Sequence, residues 1–342
     1  HAVGHVLCHD LTRIVPGEWK GAQFRKGHVV TQEDIPMLLS MGKEHLFVWE
    51  MDEDHLHEND AAVRLGALCQ GQYMQASDIR EGKLELTATR DGLLTVDTER
   101  LNAINSLDEI MIATRHTNTA VAAGDKLCGT RVIPLVIAKS QIEKAESIGA
   151  GKPLLTLTPF RPLKAGIVTT GSEVYSGRIE DRFTPVVREK LTAFGVETVA
   201  HTVTDDAAEH IRAAIVAMRE KGVDLILCTG GMSVDPDDCT PAAIRDSGAR
   251  IVTYGAPVLP GAMMLVGYFS DGVPILGLPG CVMYAKATVF DLLLPRIVAG
   301  VEITKADIVK LGCGGLCLNC AVCTYPNCGF GKESEGGLSM KK

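Results

Sequence analysis

Two stretches of this chain carry residue types that do chemistry. The first is Thr229-Gly230-Gly231-Met232-Ser233, followed at once by Asp235, Asp237 and Asp238. A glycine turn at the end of an apolar run presents backbone N–H groups without side-chain obstruction, which makes a cradle for an anion. The neighbouring carboxylates suit a divalent cation, and Mg2+ takes one or two carboxylates and fills its shell with water and phosphate oxygen. Together they point to a phosphorylated ligand with Mg2+, with Asp238 as the first choice of functional carboxylate and Asp237 as a second metal ligand. The competing reading is a surface loop whose aspartates are solvated, with Asp238 capping the helix that begins near Thr240.

The second stretch is Cys313-x3-Cys317-x2-Cys320-x2-Cys323-x4-Cys328. Two-residue intervals let successive thiolates face one centre, as in the cysteine runs that hold iron–sulfur clusters. Four thiolates also suffice for tetrahedral Zn2+. A mobile tail of free thiols is the alternative.

Elements must position these groups. Leu225-Ile226-Leu227-Cys228 reads as a buried strand leading into the glycine turn, and Thr240-Pro241 as the start of a helix. From Leu163 onward strands and helices alternate. Strands are expected at 165–170, 196–203, 223–228 and 250–254, a hairpin over 263–278, and a long helix over 282–298 broken or ended by Pro295. Repeated strand–helix units predict an α/β domain over 163–300. Its mostly parallel sheet would have helices on both faces, three layers in all. Ligands of such sheets sit beyond the strand C-termini. That places Thr170-Gly171-Ser172-Glu173, Thr229–Ser233 and Pro279-Gly280 on one rim.

Ahead of this domain, residues 1–60 read as a small α+β module and 61–160 as a β-rich one; 301–342 form the cysteine-rich tail. Thr31–Asp34 resembles a capping box. His55 and His57 stand in an acidic stretch that reads as an exposed linker. Asp91-Gly92 reads as a hairpin turn between 84–87 and 93–96.

Composition narrows the function classes. The chain has 342 residues, 46% hydrophobic and 22% charged, with a net charge of −8. That balance argues against a nucleic-acid surface. No apolar run reaches the ~18 residues of a membrane span. The opening shows no leader pattern, and six of the eleven cysteines are scattered singly, as small buried hydrophobes are. A cytoplasmic protein is expected.

In order and at these spacings, Thr169-Thr170-Gly171-Ser172-Glu173, Val203-Thr204-Asp205-Asp206, Cys228–Ser233, Asp237–Pro241 and Gly277–Gly280 resemble the molybdopterin-binding domain of molybdenum-cofactor biosynthesis proteins. That family includes molybdopterin molybdotransferase, molybdopterin adenylyltransferase and gephyrin. The resemblance implies molybdopterin held by its phosphate or pyrophosphate on the glycine turns. It places Asp205 and Asp238 near metal or reacting phosphate, as the catalytic pair. The expected partners are a small pterin, and either a second copy of the chain or a molybdoenzyme.

The transferases carry Lys-Pro-Gly-Lys-Pro and Leu-Pro-Gly-Asn-Pro. Here those stretches read Val258-Leu259-Pro260-Gly261-Ala262-Met263 and Leu278-Pro279-Gly280-Cys281-Val282. Both lysines, point charges suited to an oxyanion, are absent. Three readings stay open: Mg2+-assisted molybdate transfer into adenylylated molybdopterin, a non-catalytic carrier or sensor of molybdopterin, and a nucleotide-binding domain like that of the competence-damage proteins.

Overall fold

A computed structural model describes residues 1–46, 53–233, 235 and 238–332. The apolar run Leu46-Phe47-Val48-Trp49, which reads as a strand in the sequence, lies almost wholly outside these residues, as does Asp237. The chain divides into two compact units. One takes 1–87, 97–114 and 126–155; the other takes 88–96, 115–125 and everything from Thr156 onward. Both are discontinuous, whereas the sequence reading treats each module as one contiguous stretch.

In the first unit, an antiparallel hairpin of Leu11–Val15 and Trp19–Phe24 belongs to a small core of Leu7, Leu11, Phe24, Val30 and Leu38. Asp34 accepts the Thr31 backbone N–H at 2.8 Å, one half of the expected capping box. A four-stranded sheet runs in the order Met74–Ala76, Leu84–Ala88, Lys126–Val132, Ile110–Thr114. The linker reading of the two histidines is corrected here, although His55 is exposed as expected. His55–His57 is a strand paired with Val136–Ala138, and His57 is only 2% exposed. Its Nδ1 accepts the Asn59 N–H at the start of helix Glu58–Cys69, and its Nε2 lies 2.7 Å from the Cys8 carbonyl oxygen. His57 is a structural cap.

The hairpin expected at Asp91-Gly92 does not form. Leu84–Ala88 stays in the first unit's sheet, while Gly92–Val96 pairs with Thr119–Val121 in the second unit. Leu93 and Leu94 are both 0% exposed, so the strand is buried on both faces and cannot be half of a hairpin with one wet face.

The rest of the second unit is built on a six-stranded sheet. Its strands are β1 (Lys164–Thr170), β2 (Glu197–Thr204), β3 (Leu225–Thr229), β4 (Arg250–Tyr254), β5 (Leu265–Tyr268) and β6 (Pro274–Leu278). Their spatial order is β2-β1-β3-β6-β5-β4. β2, β1, β3 and β6 run parallel; β5 and β4 complete an antiparallel edge. Helices α1 (Ser172–Tyr175), α2 (Phe183–Thr192), α3 (Ala208–Glu220), α4 (Thr240–Asp246), α5 (Val289–Val298) and α6 (Lys305–Lys310) connect or follow the strands. Alternation along β3 shows how the layers arise. Leu225 and Leu227 join Phe290 and Val187 in one core, while Ile226 and Cys228 join Ile211, Ile215 and Met218 in the other. Burial on both faces explains the unbroken apolar run of the sequence. The fold class is α/β with smaller β-rich parts beside it, as expected.

One long helix over 282–298 is not what forms. Gly280–Met283 is a single 3-10 turn, and α5 starts afresh at Val289. Thr288 caps it, accepting the Phe290 N–H, and Asp291 closes the box on the Thr288 N–H at 2.7 Å. Pro295 lies inside α5 and has no N–H to give to the carbonyl four residues earlier, that of Asp291. Tyr325 supplies the missing donor: its hydroxyl donates to the Asp291 carbonyl at 2.9 Å.

That bond is one of several that fasten the cysteine-rich tail to the sheet domain. Leu259 donates its N–H to Gly315 and accepts that of Cys317, both at 2.8 Å. Phe330, 4% exposed, belongs to the same core as Phe290. Up to Lys332, therefore, the tail is packed structure, and the reading as a mobile tail does not hold for its described part.

Candidate functional site

The register of the parallel strands brings the expected loops to one end of the sheet. Thr169 pairs with Thr229, and Thr229 with Leu278. The chain passes from β1 to β2 on one side and later to β3 on the other. The loops after β1 and β3 thus leave the sheet side by side at a point where strand order reverses, the usual crevice of open α/β sheets.

Threonines knit these loop bases together. Thr229 Oγ1 donates to Thr169 Oγ1 at 3.2 Å. Thr170 Oγ1 and Thr240 Oγ1 lie 3.3 Å apart, joining β1 to the start of α4. The turn itself depends on glycine. Gly230 and Gly231 have φ of +86° and +55°, a left-handed conformation that side chains disfavour. Added Cβ atoms would also collide. At Gly230 one would stand 2.7 Å from Thr170 Oγ1 and closer still to the Thr170 carbonyl oxygen; at Gly231, 2.7 Å from Thr240 Oγ1. Tyr254 braces the turn from the edge strand, donating its hydroxyl to the Met232 carbonyl at 2.9 Å.

A cavity of about 540 Å³ opens at the far side of the domain beside Arg161 and Arg250, and the loops border another open one, of about 520 Å³, at the strand C-termini. Seven of the expected residues line the latter: Gly230, Gly231, Met232, Ser233, Asp238, Pro279 and Gly280. Sequence reasoning missed Cys281, Met283 and Tyr284, which also line it, together with Ala262 and Met263 from the stretch that lacks the family lysines. The Leu278-Pro279-Gly280 motif points to the first two by adjacency; nothing in the sequence marks Tyr284. Burial pushes the Cys281 thiol above its ordinary pKa, so it sits in the wall as a neutral group. Asp238 is the one charged side chain among the described residues lining this cavity.

Asp238 does not cap α4. Its carboxylate reaches back to the turn and accepts the Ser233 N–H at 2.7 Å, while Cys239 takes the N-cap place without a side-chain bond. The other expected residues are occupied elsewhere. The Ser172 N–H and hydroxyl both donate to Asp206 at 2.8 Å, so the first glycine turn has given that amide away. Thr170, Gly171, Ser172, Glu173 and Thr229 do not line the cavity, nor does Asp205. Asp205 lies 2.7 Å from His210 Nδ1 and accepts the Ala207 N–H; the His210 bond holds its pKa below the usual carboxylate value.

Beneath the turn lies a polar cluster that the sequence did not reveal. Thr169 Oγ1 is 2.9 Å from Thr184 Oγ1 and 3.0 Å from His201 Nε2, and His201 is 3.5 Å from Asp181. Burial lowers the His201 pKa from 6.5, against the pull of Asp181. Burial opposes ionisation of Asp181, but bonds from Thr184 and Phe183 together hold its pKa down. A histidine that folds neutral takes up its proton more readily when unfolded. Its contribution to stability is therefore whole above pH 6.5, the unfolded value, and falls away as the pH drops below it. Denaturant midpoints should decline between about pH 7 and 5, and His201→Gln should flatten that part of the profile. An equal slope in the variant would assign the effect elsewhere.

Residues 166–299 match the family model described as "Probable molybdopterin binding domain". Over this segment the chain is similar to the molybdopterin-binding-domain family. The glycine turns and the cavity all fall inside the matched segment. Residues 1–50 match a domain of unknown function. Among curated proteins, the CinA-like protein of Mycobacterium tuberculosis (strain ATCC 25177 / H37Ra) is 43% identical over 90 residues, 26% of this chain and 21% of that protein. The chain thus spans about one fifth of the length of this relative. Among solved structures, the molybdopterin biosynthesis enzyme MoaB of Thermus thermophilus aligns at 26% identity and a TM-score of 0.36, covering 40% of this chain and 97% of that one. The protein CinA of Thermoplasma acidophilum aligns at 18% identity and a TM-score of 0.34, over 40% of this chain and 98% of that one. The family match ends at residue 299, ahead of the cysteine-rich tail. Among the described residues no helix is long and apolar enough to cross a membrane.

Proposed function

We propose that the domain binds molybdopterin, with the terminal phosphate on the Gly230-Gly231-Met232 part of the turn and Mg2+ carried by Asp238. The observation that supports this most is the convergence of the turn, Asp238 and Pro279-Gly280 on one cavity. A carboxylate beside a phosphate cradle matches the sparse protein donor set that Mg2+ accepts. Bound there, the ion would offset phosphate charge; Asp238 would hold it while keeping the turn closed through Ser233.

Of the two pterin readings, the carrier fits better than molybdate transfer. No lysine or arginine is among the described residues lining the cavity, and a developing oxyanion calls for preorganised positive charge. A carrier delivers to a recipient, here a partner molybdoenzyme. Binding of a nucleotide by a domain of the competence-damage type is the second reading, favoured by the 43% identity to the CinA-like protein.

Titration with molybdopterin and with a dinucleotide, each with and without Mg2+, separates them. Asp238→Asn retains an oxygen for the Ser233 N–H but loses the charge. Its molybdopterin affinity should fall by roughly tenfold or more in Mg2+, about 1.4 kcal/mol, and become indifferent to the ion. Unchanged Mg2+ dependence would leave Asp238 a purely structural brace of the turn.

A further inference from the structure

The second cysteine-bearing stretch has a place in the fold that the pterin reading does not use. Cys317, Cys320, Cys323 and Cys328 all line one cavity of about 580 Å³. Cys313 does not line it. Tyr284, 77% exposed, belongs to the walls of both this cavity and the glycine-turn cavity. The two spaces therefore adjoin across one aromatic side chain.

The loop that carries the four thiols is held at both ends, where Cys317, Tyr325 and Cys328 pack against the main core, and is exposed over 318–324 between them. Leu316 bridges to Leu259 at one end, and Phe330 is buried at the other. From Leu318 to Cys328 there is no helix or strand. Leu318 and Val322 remain 78% and 76% exposed, so side-chain packing does not hold residues 318–324 in place, whereas Tyr325 and Cys328 pack against the main core. Loops that lack a core of their own are commonly organised by a metal whose binding energy is folding energy.

We propose that Cys317, Cys320, Cys323 and Cys328 form a four-thiolate centre for a thiophilic metal, set against the glycine-turn cavity across Tyr284. Thiolate sets of this kind select zinc or an iron–sulfur cluster over hard cations. Among the described residues no three His, Cys, Asp or Glu side chains already stand grouped as ligands. Metal uptake on this proposal brings the exposed Cys320 and Cys323 toward Cys317 and Cys328, which pack against the main core. Each cysteine gives up its thiol proton as it ligates, so uptake weakens as pH falls. Lys286 lines the same cavity and offsets part of the charge that four thiolates bring.

The test needs no pterin, so its outcome is independent of the proposed function. Reduced protein is titrated anaerobically with Zn2+ against a chromophoric chelator, and thiol alkylation is followed by mass. One Zn2+ per chain should bind, protecting these four cysteines and releasing protons. Cys320→Ser and Cys323→Ser, at exposed positions, should bind at least about tenfold more weakly, while Cys313→Ser binds as the parent does. Reconstitution with iron and sulfide on the same four cysteines would equally support the centre, as a cluster. Absence of both metals, alkylation of the four thiols at the same rate with and without Zn2+, or loss of binding in Cys313→Ser would overturn the assignment.

Discussion

Gly230→Val should lose molybdopterin binding and a substantial part of its folding stability together. A valine there must hold φ near +86°, a conformation that costs a β-branched residue of the order of 1–3 kcal/mol. Its Cβ must also displace the end of β1, because the obstacle is the Thr170 backbone and its hydroxyl, 2.7 Å away. Overpacking of this sort costs about 1–3 kcal/mol more. The turn and the β1 terminus would separate, breaking the threonine contacts that align the cavity. Denaturant unfolding should therefore show a midpoint well below the parent's, with a native-like circular-dichroism spectrum before the transition and no ligand response. On the sequence alone this glycine reads as a point of ligand approach. In the structure its missing side chain makes room first for another part of the protein. Full stability with full binding would contradict both roles.

Phe330→Ala should cost about 3–5 kcal/mol, the range for truncating a buried aromatic ring. Phe330 is 4% exposed within the main core of the sheet domain, with its ring 6.2 Å from that of Tyr325. Removing it would release the tail, and the tail cysteines should then alkylate much faster than in the parent. The measurement is paired: unfolding midpoint and alkylation rate should move together. A stable variant with parental alkylation rates would mean that the tail is held by its backbone bridges to Leu259 alone.

Much of the sheet domain was legible because its signals are local and repeated. Apolar runs such as Leu225–Cys228, and Thr240-Pro241 opening α4, each reflect a rule that acts within a few residues. The rim also followed, since parallel register puts the ends of β1, β3 and β6 level. What failed was anything decided by distant partners. Asp238 looks like a cap until the Ser233 amide is seen to claim it. Ser172 looks like an anion donor, but Asp206 is 34 residues on. Gly92 looks like a hairpin because the burial of Leu93 and Leu94 on both faces is a property of the packed unit. The cluster of Thr169, Thr184, Asp181 and His201 joins residues from three elements, and no spacing in the sequence announces it.

The pairing of Pro295 with Tyr325 has an evolutionary reading. An unsatisfied buried carbonyl costs about 1–3 kcal/mol, so each residue sets what the other is allowed to become. With Pro295 in α5, loss of the Tyr325 hydroxyl strands the Asp291 carbonyl; with an alanine at 295 the helix would satisfy that carbonyl itself. The accessible mutational path is therefore directional. Position 295 can change first and free position 325 to drift, whereas the reverse order passes through a damaged intermediate. The proline thus acts as a ratchet that keeps the tail attached.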